Sequence, residues 1–345
     1  MINQLFNMLV RRGEGQMKPS LDSLLEEADR HIHNFDSLFL PAPESKPRTP
    51  FDADLPKEKM SMLSFTPQQR LKVMTKAAPL FLNMNRAARL YDGKFRPRKS
   101  EATPEFIAEL KALALASGVQ DIRFVKVPAN AVFQHKGIPH EYAVIFTVEM
   151  AKEPLESSPS FDSQYEVMTG YKNLAVLGNK LAGFMRREGF AAYPGTALGG
   201  LTDYVYLAEL AGLGAVGYHG LLISPHAGAR LRINTIYTNI TNLPIADADA
   251  NEHLWVRDFC AMCKKCVRSC PVDAIFDQPV PRGDGGMQCI DHATCRNYFT
   301  QNYGCGVCLA VCPFSHTGYD KVKARFKGNE AAPQFRIPVS PINLE

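Results

Sequence analysis

Nine cysteines, Cys260, Cys263, Cys266, Cys270, Cys289, Cys295, Cys305, Cys308 and Cys312, all fall between residues 260 and 312, and the rest of the chain has none. Thiols gathered this tightly are soft ligands for a metal centre, and their spacing says which kind. Cys260-x2-Cys263-x2-Cys266-x3-Cys270-Pro271 is the run that wraps three corners of a cubane iron–sulfur cluster and sends its fourth thiolate to a second cluster. Cys305-x2-Cys308-x3-Cys312-Pro313 is the same run without its first member, because Asn302 stands in that place. Crossing the fourth ligands gives Cys260, Cys263, Cys266 and Cys312 to cluster one. Cluster two takes Cys270, Cys305 and Cys308, and either Cys289 or Cys295 completes it. Structural zinc prefers separated Cys-x2-Cys pairs or mixed cysteine and histidine, and a disulfide framework belongs to small secreted domains. Two 4Fe-4S clusters are therefore the expected occupants.

The remaining elements must position these thiols. Thr66-Pro67 and Thr103-Pro104 each join an N-cap to a proline at the first helical position, which starts helices running to about Tyr91 and to Ser117. Ile122 to Val127 and Tyr142 to Met150 read as strands, the second buried because it is nearly continuous in apolar and β-branched residues. A helix from Phe161 to Glu188 stops at Gly189 and carries the stripe Tyr171, Leu174, Gly178, Leu181 and Met185. Phe190 to Tyr193, Leu221 to Ser224 and Arg230 to Thr238 read as strands, and Asp203 to Ala211 as a helix. Gly212-Leu-Gly214-Ala-Val-Gly217 matches the dinucleotide fingerprint in letters only. A helix precedes it, a strand follows it, and Asn234 and Asn239 stand where the acid should be. Each Cys-Pro is expected to open a short helix, and the segment after Tyr319 to lie over the surface.

Upstream, Leu21 to Phe35 reads as a helix, and the prolines between Pro41 and Pro56 as a linker. The organisation expected is thus a helical extension over 1–100, an α/β (α+β) core over 101–250, a cluster module over 251–318 and a tail over 319–345. A chain of 345 residues, 46% hydrophobic and 21% charged, has room for these units. The net charge of +4, without a lysine/arginine block interleaved with aromatics, points away from a nucleic-acid partner. Arg11-Arg12 is followed by Gly-Glu-Gly-Gln and no apolar segment, so it is not read as an export signal. Apolar runs such as Tyr142 to Phe146 are too short to span a membrane. A cytoplasmic protein is expected, where thiols stay reduced.

Several further stretches act together. They are Tyr142-Ala-Val-Ile-Phe-Thr-Val-Glu-Met150, Gly170-Tyr171-Lys172, Phe184-Met-Arg-Arg-Glu-Gly189-Phe190-Ala-Ala, and Ala211-Gly-Leu-Gly-Ala-Val-Gly217. Ser224-Pro225, Gly228, Arg232, Thr238-Asn239, Leu243-Pro244 and Asp291-x3-Cys295-x2-Tyr298 continue the series. On these residues the stretch from Tyr142 to Pro313 resembles the cobalamin-dependent iron–sulfur reductases, the family of reductive dehalogenases and epoxyqueuosine reductases, with a cluster module similar to bacterial ferredoxins. Two departures stand out: Tyr218 follows Gly217 where the relatives carry lysine or arginine, and the first 100 residues have no counterpart.

The resemblance implies a nitroreductase-like core that holds a cobalamin, with Gly212, Gly214, Gly217, Ser224 and Gly228 as cofactor-binding positions and Cys295 rather than Cys289 as the extra cluster ligand. It implies Tyr171, Tyr204 and Arg232 as catalytic residues. His219 and His226 read as a satisfied or an exposed histidine. The expected activity is reductive cleavage of a carbon–halogen or similar bond in a small organic substrate, with electrons from a donor such as ferredoxin or flavodoxin. The other branch would make a tRNA nucleotide the substrate. The same clusters also suit a corrinoid-free electron-transfer or reductive-activation protein.

Overall fold

The computed structural model describes residues 29–49, 65–92, 95–248 and 250–327. Helix α1 (Pro67–Arg89) opens on a reciprocal cap: Gln69 N donates to Thr66 Oγ1 at 3.2 Å and Thr66 N to Gln69 Oε1 at 3.0 Å. Helix α2 (Pro104–Ala116) starts from the Thr103 hydroxyl and ends before Gly118, whose φ of 100° only glycine adopts freely. Strands β1 (Asp121–Lys126) and β2 (Tyr142–Glu149) pair antiparallel, with Phe124 opposite Val144. A short helix α3 (Lys152–Glu156) leads into α4 (Phe161–Arg187), capped by Ser160 and stopped by Gly189 at φ 99°. Strand β3 (Ala192–Pro194), helix α5 (Tyr204–Leu210), the hairpin β4 (Ala215–Val216) and β5 (Leu222–Ile223), and strand β6 (Leu231–Thr238) complete the core.

The central sheet is antiparallel throughout, in the order β1-β2-β6-β3. Side chains alternate across it with a period of two, which divides the core. Val144, Phe146 and Val148 of β2 and Ile236 of β6 pack under α1, α2 and α4, against Leu80, Leu110 and Leu181. Ala143 and Ile145 of β2 and Tyr237 of β6 face the other way, onto Leu207 and Ala208 of α5 and Ile32 of the arm formed by residues 29–49. Burying each such aliphatic or aromatic side chain is worth about 1.5–3 kcal/mol.

This arrangement changes the expected boundary at residue 100. Leu80 and Met84 of α1 lie in the same core as α4, and Phe39 of the arm bridges Ile138. Described residues before 100 are thus part of the core itself. The expected helix over Leu21 to Phe35 lies outside the described residues up to 28, and Arg30–Asn34 is a 3-10 turn. The second half of the proline-rich stretch, from residue 50, also lies outside them.

The module begins with α6 (Trp255–Cys263) and α7 (Lys265–Arg268), separated by Lys264 at φ 44°. No helix follows Cys270-Pro271. Asp273 at φ 51° turns the chain instead into β7 (Ile275–Pro281), which pairs with β8 (Met287–Ile290), a hairpin the sequence reading did not include. Helices α8 (His292–Gln301), α9 (Val307–Ala310) and α10 (Pro313–His316) follow, the last where Cys312-Pro313 predicts one. Residues 319–327 form α11 (Tyr319–Lys327) rather than an overlay, and bury Tyr319, Val322 and Phe326. The Tyr319 hydroxyl takes a hydrogen bond from Trp255 Nε1 at 2.9 Å and pairs with His253 Nδ1 at 2.8 Å. Among the described residues no helix is long and apolar enough to cross a membrane.

The module meets the core most closely at Gly228. Its φ is 57°, and a Cβ there would stand 2.3 Å from the Phe314 carbonyl oxygen, just after Cys312. Gly228→Ala should cost about 1–2 kcal/mol from backbone conformation alone, with more from the forced separation. Thermal unfolding of the reconstituted protein should show the loss, together with faster iron release. An unchanged midpoint would mean that the joint yields freely.

Candidate functional site

Helix geometry and turns sort the cysteines into two groups. Cys260 and Cys263 leave α6 one turn apart, Lys264 breaks the helix in the left-handed region, and Cys266 follows in α7. Cys312 precedes Pro313 at the start of α10. The burial that pushes the Cys260 thiol up is reinforced by Cys312, Cys266 and Cys263 beside it. Burial pushes Cys312 up to about 12, with Cys266 and Cys263 again among its neighbours.

The second group gathers round α8. Asp291 caps this helix by accepting from Ala293 N and Thr294 N, at 2.9 and 3.2 Å, so that Cys295 sits in its first turn. Burial pushes Cys295 up to about 11, and Cys270 and Cys305 add to it. Cys308 rises by burial and by Cys266, Cys295 and Cys305. Cys266 therefore looks toward both groups. Among the described residues no three His, Cys, Asp or Glu side chains converge as they would on a single ion. The Cys-x2-Cys-x2-Cys spacing, rather than separated pairs, suits an iron–sulfur cluster better than zinc.

Backbone amides point at these sulfurs. Tyr218 N–H faces Cys260, Phe314 and Ser315 N–H face Cys312, and Ala274 N lies 3.3 Å from Cys270 Sγ. Such donors favour the thiolate and tune a bound cluster. The Tyr218 that replaces the relatives' basic residue contributes through its backbone.

Cys289 lies on β8, buried at 3% exposure. Burial pushes its thiol up to about 11, and the groups around it are Arg257, Arg282, Glu209 and one thiol, Cys266. Its Cβ packs on the turn at Gly220, 3.3 Å from where a Cβ would stand. Asn302, in the place of the missing cysteine, donates from Nδ2 to Tyr298 O at 2.9 Å and so caps the end of α8.

Of the three candidate catalytic residues, the structure brings two together. Arg232 Nη1 donates to the Tyr171 hydroxyl at 3.2 Å, and the guanidinium lies 4.6 Å from the ring centroid. Gly170 makes the approach possible, since a Cβ there would stand 3.0 Å from Arg232 Cγ. Tyr204 lies across the sheet. Its hydroxyl donates to Thr196 O at 3.2 Å, it is nested on Gly195 and Gly200, and burial beside Tyr237 raises it well above the usual range. Thr235 and Tyr237 of β6 share its side, whereas Arg232 and Asn234 point to α4. One strand therefore separates Tyr204 from the Tyr171–Arg232 pair.

The five positions expected to hold a corrinoid are mostly occupied by the chain itself. A Cβ on Gly214 would stand 2.1 Å from Ile223 O, one on Gly217 would stand 2.6 Å from Ile223 Cδ1, and Gly228 faces Phe314. Gly212 ends α5 at φ 72°, and the buried Ser224 hydroxyl accepts from Ala227 N at 3.3 Å. These residues shape the β4–β5 turn and its joint with the module. Buried polar atoms without a partner lie at this turn, His219 Nε2 beside Gly217 and Ser315 Oγ beside Gly228, and also along the α4–β6 seam that carries Tyr171, where Arg232 Nε, Asn234 Nδ2 and Gln164 Oε1 are unpaired. Buried polar atoms of this kind call for a ligand or water. Asn234 gave no signal in the sequence beyond its polar type within a strand of apolar neighbours.

The two histidines differ. His226 is exposed, 4.0 Å from Asp121. His219 is buried, accepts from Leu221 N at 3.2 Å through Nδ1, and leaves Nε2 unpaired.

Residues 253–276 match the family described as 4Fe-4S binding domain. A tetrachloroethene reductive dehalogenase of Desulfitobacterium hafniense is 31% identical over 209 residues, covering 55% of this chain and 37% of the relative. An epoxyqueuosine reductase of Listeria monocytogenes is 31% identical over 138 residues, covering 35% and 31%. This chain thus spans well under half the length of the curated relatives it matches. Among solved structures, a catabolic reductive dehalogenase superposes with a TM-score of 0.57 at 22% identity, over 70% of this chain and 39% of the other. A second structure, described as suggesting a mechanism for B12-dependent dehalogenation, gives 0.57 at 22% identity, over 71% and 39%. The fold is that of these proteins, a mixed helix-and-strand core with a ferredoxin-like module.

His219 supplies a pH test of the core. Burial holds its pKa down at about 4 against an ordinary 6.5, so the folded protein resists a proton that the unfolded chain accepts. Its contribution is complete above about pH 6.5 and is lost as pH falls toward 4, by roughly 3 kcal/mol at the limit. His219→Asn keeps an acceptor for the Leu221 amide and removes the titration. Urea unfolding at pH 7.5 and pH 5 should show the wild type losing more stability than the variant. Equal losses would remove His219 from the account.

Proposed function

We infer that this chain is an iron–sulfur oxidoreductase related to the reductive dehalogenases and epoxyqueuosine reductases, and that two 4Fe-4S clusters feed electrons to a corrinoid held against its nitroreductase-like core. Cluster one is assigned to Cys260, Cys263, Cys266 and Cys312, and cluster two to Cys270, Cys295, Cys305 and Cys308. The observation that carries this reading is the tie between cluster one and the Tyr171–Arg232 pair. Arg230 donates to Ser315 O at 3.3 Å, three residues after Cys312, and to Met150 O at 2.7 Å. It stands two residues before Arg232 on the same stretch of chain. The thiols assigned to cluster one are mostly buried, whereas all four assigned to cluster two are partly exposed. On this assignment cluster two would receive electrons and cluster one would pass them on, beside the core.

The unpaired donors Arg232 Nε and Asn234 Nδ2 and the acceptor Gln164 Oε1 suit a ligand rimmed with amides, as a corrin is. They are the residues that would hold it. Bound there, a corrinoid supplies a low-valent cobalt able to break a carbon–halogen bond. The chain's own part is proton supply. A carbon–halogen bond cleaved by two electrons leaves a halide and needs one proton on carbon. Tyr171 O–H is placed to give that proton, and Arg232 stabilises the phenolate left behind. Tyr204, on the other face, is assigned a packing role.

The dehalogenase branch is favoured because it matches 55% of the chain, against 35% for the epoxyqueuosine branch. A small halogenated organic molecule is the proposed substrate.

Anaerobic reconstitution followed by iron and cobalt analysis tests the cofactors: about eight irons and one corrinoid per chain are expected. Cys295→Ser should lose about half the iron, and Cys289→Ser should keep it all. Failure to bind corrinoid stoichiometrically would leave only an electron-transfer role. With corrinoid bound, Tyr171→Phe should keep the cofactor and lose at least about a hundredfold in turnover. Retained turnover would exclude Tyr171 as the donor.

A further inference from the structure

Helix α1 carries Arg70, Lys72, Lys76, Arg86 and Arg89 and no Asp or Glu. Its first half lies beside the loop of cluster two. Val73 and Ala77 of α1 pack with Phe161 and Met168 of α4 and with Tyr303, two residues before Cys305. On the outer side Arg70 and Lys72 are exposed, and Leu71 is 74% exposed, the most open large apolar side chain among the described residues. Lys72 Nζ lies 4.7 Å and Lys76 Nζ 5.3 Å from the Tyr165 ring centroid. Among the described residues the carboxylate paired with this patch is Asp162, 3.4 Å from Lys72, and both side chains are more than half exposed. That pair is screened by solvent and neutralises little of the patch's charge.

We propose that this surface, Arg70, Leu71, Lys72 and Lys76 with Tyr165, is the docking site of a small acidic one-electron carrier protein that reduces cluster two. The proposal rests on the two-cluster reading. A basic field around an exposed apolar contact steers an acidic partner and then gives it something to bury. Its position next to the more exposed thiol group sets the carrier's cofactor near the receiving cluster. A single-stranded nucleic acid fits less well, because stacking needs a free aromatic face and both lysines lie over the Tyr165 ring.

The test is stopped-flow reduction of the reconstituted protein's clusters by reduced flavodoxin, an acidic carrier, with dithionite as the small reductant in parallel. Iron content is measured first, so a protein without clusters is recognised as a failure of the underlying reading. Missing corrinoid leaves the measurement unaffected. Lys72→Glu with Lys76→Glu should slow reduction by flavodoxin at least about tenfold at low ionic strength. The wild-type rate should fall toward the variant's as salt is added, and dithionite reduction should not change. Arg86→Glu with Arg89→Glu makes the same charge change roughly 20 Å further along the helix and should leave the flavodoxin rate within about twofold. An unchanged rate in the first variant, or equal slowing in both, would overturn the proposal. So would loss of tRNA stem-loop binding in the first variant with carrier reduction intact, which would give the patch to RNA.

Discussion

A thiol removed from water among other thiols gives up its proton only to a metal, and Cys260, Cys266, Cys295, Cys305, Cys308 and Cys312 are placed under that constraint. Burial is the first cause of every resolved thiol shift in both groups, and neighbouring thiols usually add to it. Without iron these thiols therefore stay neutral, with Cys260, Cys266 and Cys312 packed among apolar side chains. With iron the sign inverts, because the cations convert the same crowding into ligation. The amides of Tyr218, Phe314 and Ser315 then have charged acceptors to serve. Folding of the module and cluster assembly are one process on this view, and the joint at Gly228 depends on both.

Close approach of this kind explains why the glycine-rich stretch between α5 and β6 has its composition. Gly214, Gly217 and Gly228 are positions where one part of the chain's own backbone or side chains must lie against another. Gly228 alone of the three meets the module, at Phe314 and Ser315, whereas Gly214 and Gly217 close the β4–β5 hairpin on Ile223. Arg230 reinforces the joint by bonding one carbonyl on each side of the seam, Met150 O and Ser315 O.

Much of this was legible in the sequence because the physics is local. The helix starts at Thr66-Pro67 and Thr103-Pro104, the stops at Gly118 and Gly189, and the strand at Tyr142 depend on a few consecutive residues, and they lie where sequence pattern places them. What was not legible depends on contacts made at a distance. The turn after Cys270-Pro271 is decided by Asp273 and by the pairing of Ile275 with Ile290, which override the helix that proline usually opens. The tail helix forms because Tyr319 has Trp255 and His253 to bond. Spacing alone leaves Cys289 and Cys295 open and only the resemblance chooses Cys295; the place of Cys289 on β8, near Arg257 and Gly220, depends on the hairpin that spacing does not show.

The alternation of β6 carries the last step. Arg232 and Asn234 point toward α4, while Thr235 and Tyr237 point toward α5 and the arm. The first face has unpaired donors beside a tyrosine that is hydrogen-bonded to arginine. The second has tyrosine hydroxyls paired with threonines and main-chain carbonyls, as Tyr237 is with Thr202 and Tyr91 with Pro194. Buried unpaired polar atoms occur on both faces, Thr235 Oγ1 and Asp29 Oδ1 on the second as well as Arg232 Nε and Asn234 Nδ2 on the first, and each is costly unless something binds it. Arg230 joins the end of β2 to the loop after Cys312 through Met150 O and Ser315 O, so the Tyr171–Arg232 pair stands two residues along the chain from the contact with the cysteine module.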